Sequence, residues 1–179
     1  MVSVDADDVF ADWEQDVDGL WVRRAARVIV VDGIGRVLLL QGFDVDEPDR
    51  TWWFTPGGGL DTGESERACA VRELFEETGL RLDPQEIVGP VAARSVEFRY
   101  FGRECRQHEV LFFAALGAGE TAVRMDGWTA VERASMSDLQ WWDRDELSAT
   151  SETIYPAALA EIVDDVLARG WDGYVRRIG

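Results

Sequence analysis

The stretch GGLDTGESERACAVRELFEETGL, residues 58–80, decides how the rest of the chain is read. It places Glu73, Glu76 and Glu77 within five residues of one another. On a helix, like charges three or four positions apart repel by about 0.2–0.5 kcal/mol per pair, so an ordinary helix gains by interleaving cations. The periodicity predicts a helix from Ser65 to Gly79, with Gly79 placed as its C-cap. At about 100° per residue, Val71, Leu74, Phe75 and Thr78 fall on one side. Glu66, Cys69, Ala70, Glu73 and Glu77 fall on the other, with Glu76 flanking them and Arg67 and Arg72 pointing elsewhere. The small residues Cys69 and Ala70 leave room for something to approach the carboxylates. Most Glu-rich faces are merely solvated, but clustered oxygen ligands with unrelieved repulsion are what a hard divalent cation such as Mg²⁺ takes. Just upstream, Gly57, Gly58 and Gly59 read as a loop whose backbone can come close to a metal or phosphate.

Composition narrows the chemistry further. The chain has 179 residues, 46% apolar and 30% charged, enough for one domain with a normal core. Its formal net charge of −17, from 35 acidic and 18 basic residues, argues against duplex nucleic acid or an anionic membrane as partner. A small anionic substrate would need local help from a metal or a few placed cations. Every basic residue is Arg, which excludes a Schiff-base lysine and a P-loop with its phosphate-binding Lys. With His108 as the single histidine, a zinc site of two or three His is excluded. Cys69 and Cys105 form no CxxC and no disulfide framework, and no apolar run approaches the roughly 18 residues of a membrane helix. These features point to a soluble cytoplasmic protein.

Residues 1–20 form an acidic leader in which Val9, Phe10, Trp13, Val17, Leu20 and Trp21 recur at helical spacing, as in a short amphipathic helix. WVRRAARVIVV (21–31) and RVLLLQG (36–42) read as two core strands of a hairpin turning at DGIG. TWWFT (51–55) reads as a short aromatic strand. Strands are expected at about 87–101 and 104–116 and near 128–135, with a final helix from about Tyr155 to Arg169. This order implies an α/β sandwich with a mixed sheet and a C-terminal helix, in a single domain over 21–179.

Read from Gly58, the sequence runs Gly58, five residues, Glu64, seven residues, Arg72-Glu73-Leu74, one residue, Glu76-Glu77, one residue, Gly79-Leu80. This resembles, without a gap, the GX5EX7REUXEEXGU box of the Nudix (MutT-like) hydrolases, and the similarity covers residues 21–150. The resemblance implies an α/β/α sandwich and metal-dependent cleavage of a nucleoside diphosphate linked to another group X. It implies Glu73, Glu76, Glu77 and the Gly57 carbonyl as ligands of Mg²⁺, with Mn²⁺ as a substitute. Glu64 and Arg72 would orient them by charge-assisted hydrogen bonds. Glu73 is the expected general base, and Glu109, in the strand CRQHEVLFF, the candidate from outside the box.

For the substrate, Gly58, Gly59, Arg27 and Trp53 are the expected contacts, one ring of each adjacent Trp pair facing outward for stacking and the guanidinium meeting phosphate by bidentate hydrogen bonds. Eight Trp, including the pairs Trp52-Trp53 and Trp141-Trp142, also serve core packing. Two rivals remain. A nucleotide-sensing protein on the same fold would have a damaged box, and isopentenyl-diphosphate isomerase depends on a Cys that Cys69 does not match. The partner is therefore expected to be a small nucleoside diphosphate derivative, and the protein a monomer or homodimer.

Overall fold

β-branched and apolar residues alternate along the central strands, so each strand offers one side chain to each face of the sheet. The computed structural model describes residues 6–119 and 122–179. In chain order the elements are α1 (Ala6–Val9), β1 (Glu14–Gln15), β2 (Trp21–Val31), β3 (Val37–Phe43), β4 (Thr51–Phe54), β5 (Gly57–Gly59) and α2 (Glu66–Thr78). They continue with β6 (Val88–Tyr100), β7 (Arg103–Ala115), α3 (Ala130–Ser135), β8 (Met136–Trp142), α4 (Arg144–Ala149), β9 (Ile154–Tyr155), α5 (Leu159–Arg169) and β10 (Arg176–Arg177).

The strands join in the order β10, β6, β7, β2, β3, β4, β9, with β1 and β5 added to β2 and β8 to β3. β2 runs parallel to β7 along its whole length, Trp21 facing Cys105 and Val31 facing Ala115, while β6 and β7 form an antiparallel hairpin. The sheet is mixed, as expected. Ala26, Val28 and Val30 of β2 face Ala70 and Leu74 of α2. Ile29 and Val31 face Leu159, Ile162 and Val163 of α5. Helices on both faces make the α/β/α sandwich. Among the described residues no helix is long and apolar enough to cross a membrane.

Several expectations need correction. β2 and β3 pair only at their ends, Val31 with Val37, because β7 fills one edge of β2 along its whole length and β5 takes Ala25 to Arg27 on the edge that β3 shares. The expected glycine loop is partly a strand. Residues 130–135, expected as strand, are helical because Thr129 and Glu132 form a reciprocal capping box. The terminal helix begins at Leu159, since Ile154 and Tyr155 pair with β4.

The leader is not one amphipathic helix. A single turn, Ala6–Val9, gives way to a hairpin of β1 with β2, and Val17 is fully exposed. Val9, Phe10 and Trp13 are buried against Phe98 and Tyr100. Residues 1–5 lie outside the described part.

Candidate active site

α2 is capped as its sequence directs. The Ser65 hydroxyl accepts from the Ala68 N–H, and Gly79 adopts φ 76°, donating to the Phe75 carbonyl. Its acidic side does not face open solvent. Cys69 and Ala70 have no exposed surface, and the Cys69 thiol donates to the carbonyl of Gly59 at 3.3 Å. The small residues do admit a close neighbour, but that neighbour is the glycine strand β5. At Gly58, a side-chain carbon would lie 2.7 Å from the carboxyl of Glu73. Gly57, at φ 141°, packs against the backbone of Ala26 and Arg27. The glycines thus bring a bare backbone edge against two glutamates.

Glu77 is 4% exposed and accepts a 2.7 Å hydrogen bond from the Gly57 N–H. Burial, with Glu73 and Glu132 nearby, raises its pKa well above the usual carboxylate range. Glu73 is pushed up to about 7, chiefly by burial. Arg72, which the helical spacing alone points elsewhere and the resemblance aims at the glutamates, curls back over the box. It forks onto Glu64 at 2.9 and 2.8 Å, and its Nη1 donates to Glu73 at 2.7 Å and Glu76 at 3.1 Å. Its Nη2 also reaches the Gly59 carbonyl at 3.0 Å. These bonds hold Glu64 below its ordinary pKa.

The carboxylates that converge are not the three expected. Oxygens of Glu73, Glu77 and Glu132 lie within 4.8 Å of one another. Glu76 remains outside this cluster, its side chain 47% exposed and bound to Arg72, because the helical turn directs it toward solvent. Glu132 comes from α3. The Trp128 indole donates to the Glu77 carbonyl at 2.8 Å, so the start of α3 is fastened to the end of α2. Sequence reasoning missed Glu132, although Thr129 and Glu132 spell a capping box that could have placed it on a helix.

Three other expectations fail on geometry. Glu109 has no exposed side-chain surface and lies between Arg27 at 2.7 Å and Arg94, with Gln107 donating at 2.6 Å. Burial opposes its charge, but the two guanidinium groups prevail and hold its pKa at about 2, too low for a base at neutral pH. Arg27 is spent on Glu109 and on the carbonyls of Thr55 and Gly57, each at 2.9 Å, rather than held open for substrate. Trp53 is 4% exposed in the core under α5, its ring edge-on to Trp142 at 5.1 Å, and offers no face for stacking.

Glu73, Glu77 and Glu132, all hard oxygen donors with mutual repulsion, fit a divalent cation. The Gly57 carbonyl, at the same edge, keeps a second lone pair beside its bond from Arg27. Gly58→Ala would push the Glu73 carboxyl out of position while leaving the strand paired. Metal affinity should fall by about 10- to 100-fold, as for disturbed ligand supports, and titration with Mn²⁺ measures it. Unchanged affinity would dissociate Gly58 from the placement of Glu73.

The NUDIX domain model matches residues 21–165. The chain belongs to the Nudix family. This Nudix chain is 29% identical over 158 residues to the RNA pyrophosphohydrolase of Novosphingobium aromaticivorans, covering 82% of this chain and 93% of that protein. It is 38% identical over 73 residues to the RNA pyrophosphohydrolase of Dinoroseobacter shibae, 41% of this chain and 44% of that one. The chain therefore spans less than half of that second relative. The fold of the NUDIX domain of Shewanella oneidensis NrtR, solved with ADP ribose, superposes with a TM-score of 0.60 at 18% identity, over 92% of this chain and 99% of that one.

Proposed function

We propose that this Nudix protein is a pyrophosphohydrolase that cleaves a diphosphate bond in a nucleoside diphosphate derivative with a bound divalent cation, Mg²⁺ or Mn²⁺. One observation carries the reading: Glu73, Glu77 and Glu132 converge beside the Gly57–Gly59 strand. The similarity to RNA pyrophosphohydrolases supports the class. When bound, the cation would screen the diphosphate and acidify a water. Glu77 and Glu132 would hold it with Glu73 and the Gly57 carbonyl.

The chain's own contribution is positioning and proton transfer. Arg72 ties Glu64, Glu73, Glu76 and the Gly59 carbonyl into one rigid unit, so the carboxylates do not have to be ordered when substrate arrives. Glu73, converging with Glu77 and Glu132, would accept the proton of the attacking water through its carboxylate. The two buried free thiols, Cys69 and Cys105, accord with a cytoplasmic setting.

Product release from ADP-ribose, a dinucleoside polyphosphate, a nucleotide sugar, a modified nucleoside triphosphate and a short 5′-triphosphate RNA, with Mg²⁺ or Mn²⁺, tests the proposal. Cleavage of one small substrate well above the rest names X. Preference for the RNA places the protein with the relatives of that name. Binding without cleavage of any of them would replace hydrolysis by a sensing role.

A further inference from the structure

β2 carries Arg23 and Arg27 on one face, and the glycine strand lies against both. Arg27 packs beside Gly57, while a side-chain carbon at Gly59 would sit 3.4 Å from the Nη1 of Arg23. The two cations differ in what holds them. Arg27 is locked by two backbone carbonyls and a carboxylate without exposed surface. Arg23 lies over the ring of Trp13 at 4.3 Å, its Nε donating to Gln107 at 2.7 Å and its Nη1 to Asp12 at 2.9 Å.

Asp12 belongs to the leader, ahead of the residues that match the family model. Its carboxylate closes directly over Gly59, and its side chain remains 32% exposed. Val131, beside Glu132 in α3, packs on the same aromatic cluster as Phe10, Trp13 and Tyr100, so the leader and the helix that carries the third converging carboxylate meet there. An anion therefore already rests on a cation at the edge of the proposed catalytic centre.

We propose that Arg23 receives a phosphate of the substrate beside the glycine strand, and that Asp12 holds its place until the phosphate arrives. An exposed carboxylate pair is weak. A phosphate offers the planar guanidinium more charge and more acceptor oxygens than the carboxylate it displaces. Gln107 and Trp13 keep the guanidinium oriented during the exchange. The leader then acts as a competitor of the substrate as well as a wall of its cleft. This inference rests on the pyrophosphohydrolase reading of the same site.

The test measures kcat and KM on the best substrate of the panel, and the calorimetric affinity for inorganic pyrophosphate with Mg²⁺ present. Asp12→Asn removes the competitor and should lower KM and the pyrophosphate dissociation constant by about two- to fivefold. Arg23→Gln should raise both by roughly tenfold or more, with kcat almost unchanged, the pattern of lost binding rather than lost chemistry. Arg23→Lys keeps the charge without the fork and should fall between, which covers the case in which Arg23→Gln does not fold. Weaker pyrophosphate binding in Asp12→Asn would make Asp12 a mere support of Arg23 and overturn the proposal. So would wild-type affinity in both Arg23 variants. A wild type that cleaves nothing and gains no stability from metal would instead overturn the hydrolase reading beneath it.

Discussion

Glu77→Gln is expected to lose at least about two orders of magnitude in kcat/KM, together with the thermal stabilisation that Mg²⁺ gives the wild type. The substitution keeps the shape and the acceptor for the Gly57 N–H, bonded at 2.7 Å, and removes only the charge. In the wild type that charge is buried beside Glu73 and Glu132, which is why its pKa lies well above the usual range. A carboxyl whose pKa is raised by folding destabilises the folded state as pH rises from its unfolded value to its folded one. For Glu73 that window runs from the ordinary 4.5 to about 7. The metal-free wild type should therefore melt at progressively lower temperature across this range, and Mg²⁺ should reverse the loss. Glu77→Gln should show a shallower decline without metal and little response to it. An equal Mg²⁺ response in wild type and variant, read by calorimetric melting, would remove Glu77 from the metal site.

The second large effect is on folding. Glu109→Leu should destabilise the protein by about 3–5 kcal/mol, because it leaves the guanidinium groups of Arg27 and Arg94 buried without their shared carboxylate. For a chain of this size that is a fall of roughly 6–20 °C in Tm. The same carboxyl dictates an acid limb. Its folded pKa of about 2 lies below the ordinary 4.5, so its contribution is complete above about 4.5 and is lost as pH falls toward 2. Melting curves between these values should flatten in Glu109→Leu relative to wild type. A variant that melts with the wild type would show the buried triad to be neutral to stability. Residual activity in the folded variant would separate this structural role from the catalytic one expected of Glu109 by resemblance.

The residues that sequence reasoning placed well are those whose neighbours are local. Ser65 and Gly79 bound α2 where periodicity put its ends, and Gly102 turns the β6–β7 hairpin. Arg72 and Glu64 meet because one turn and a short loop bring them together. Failures arose where partners lie far apart in the chain. The exposure of Trp53 depended on α5, and the charge state of Glu109 on Arg27, 82 positions away. Glu132 was lost to a different error. Residues near 128–135 read as strand, but the capping box of Thr129 and Glu132 satisfies the backbone donors of a helix start and prevails over weak strand preference.

The parallel ladder between β2 and β7 has a consequence for how the protein is made. It joins partners such as Arg23 and Gln107 that are 84 positions apart. A ribosome adding about 5–20 residues per second leaves the first strand waiting from about 4 to about 17 s before the second has been synthesised. Throughout that interval the edge of Val28 to Val31 that β7 will cover, in a run wholly buried in the finished sheet, has no partner strand. Closure over so long a separation is entropically slow, and the waiting strand is a template for intermolecular pairing. Yield in a producing cell should therefore be governed less by the stability of the finished enzyme than by temperature, translation speed and the supply of holding chaperones.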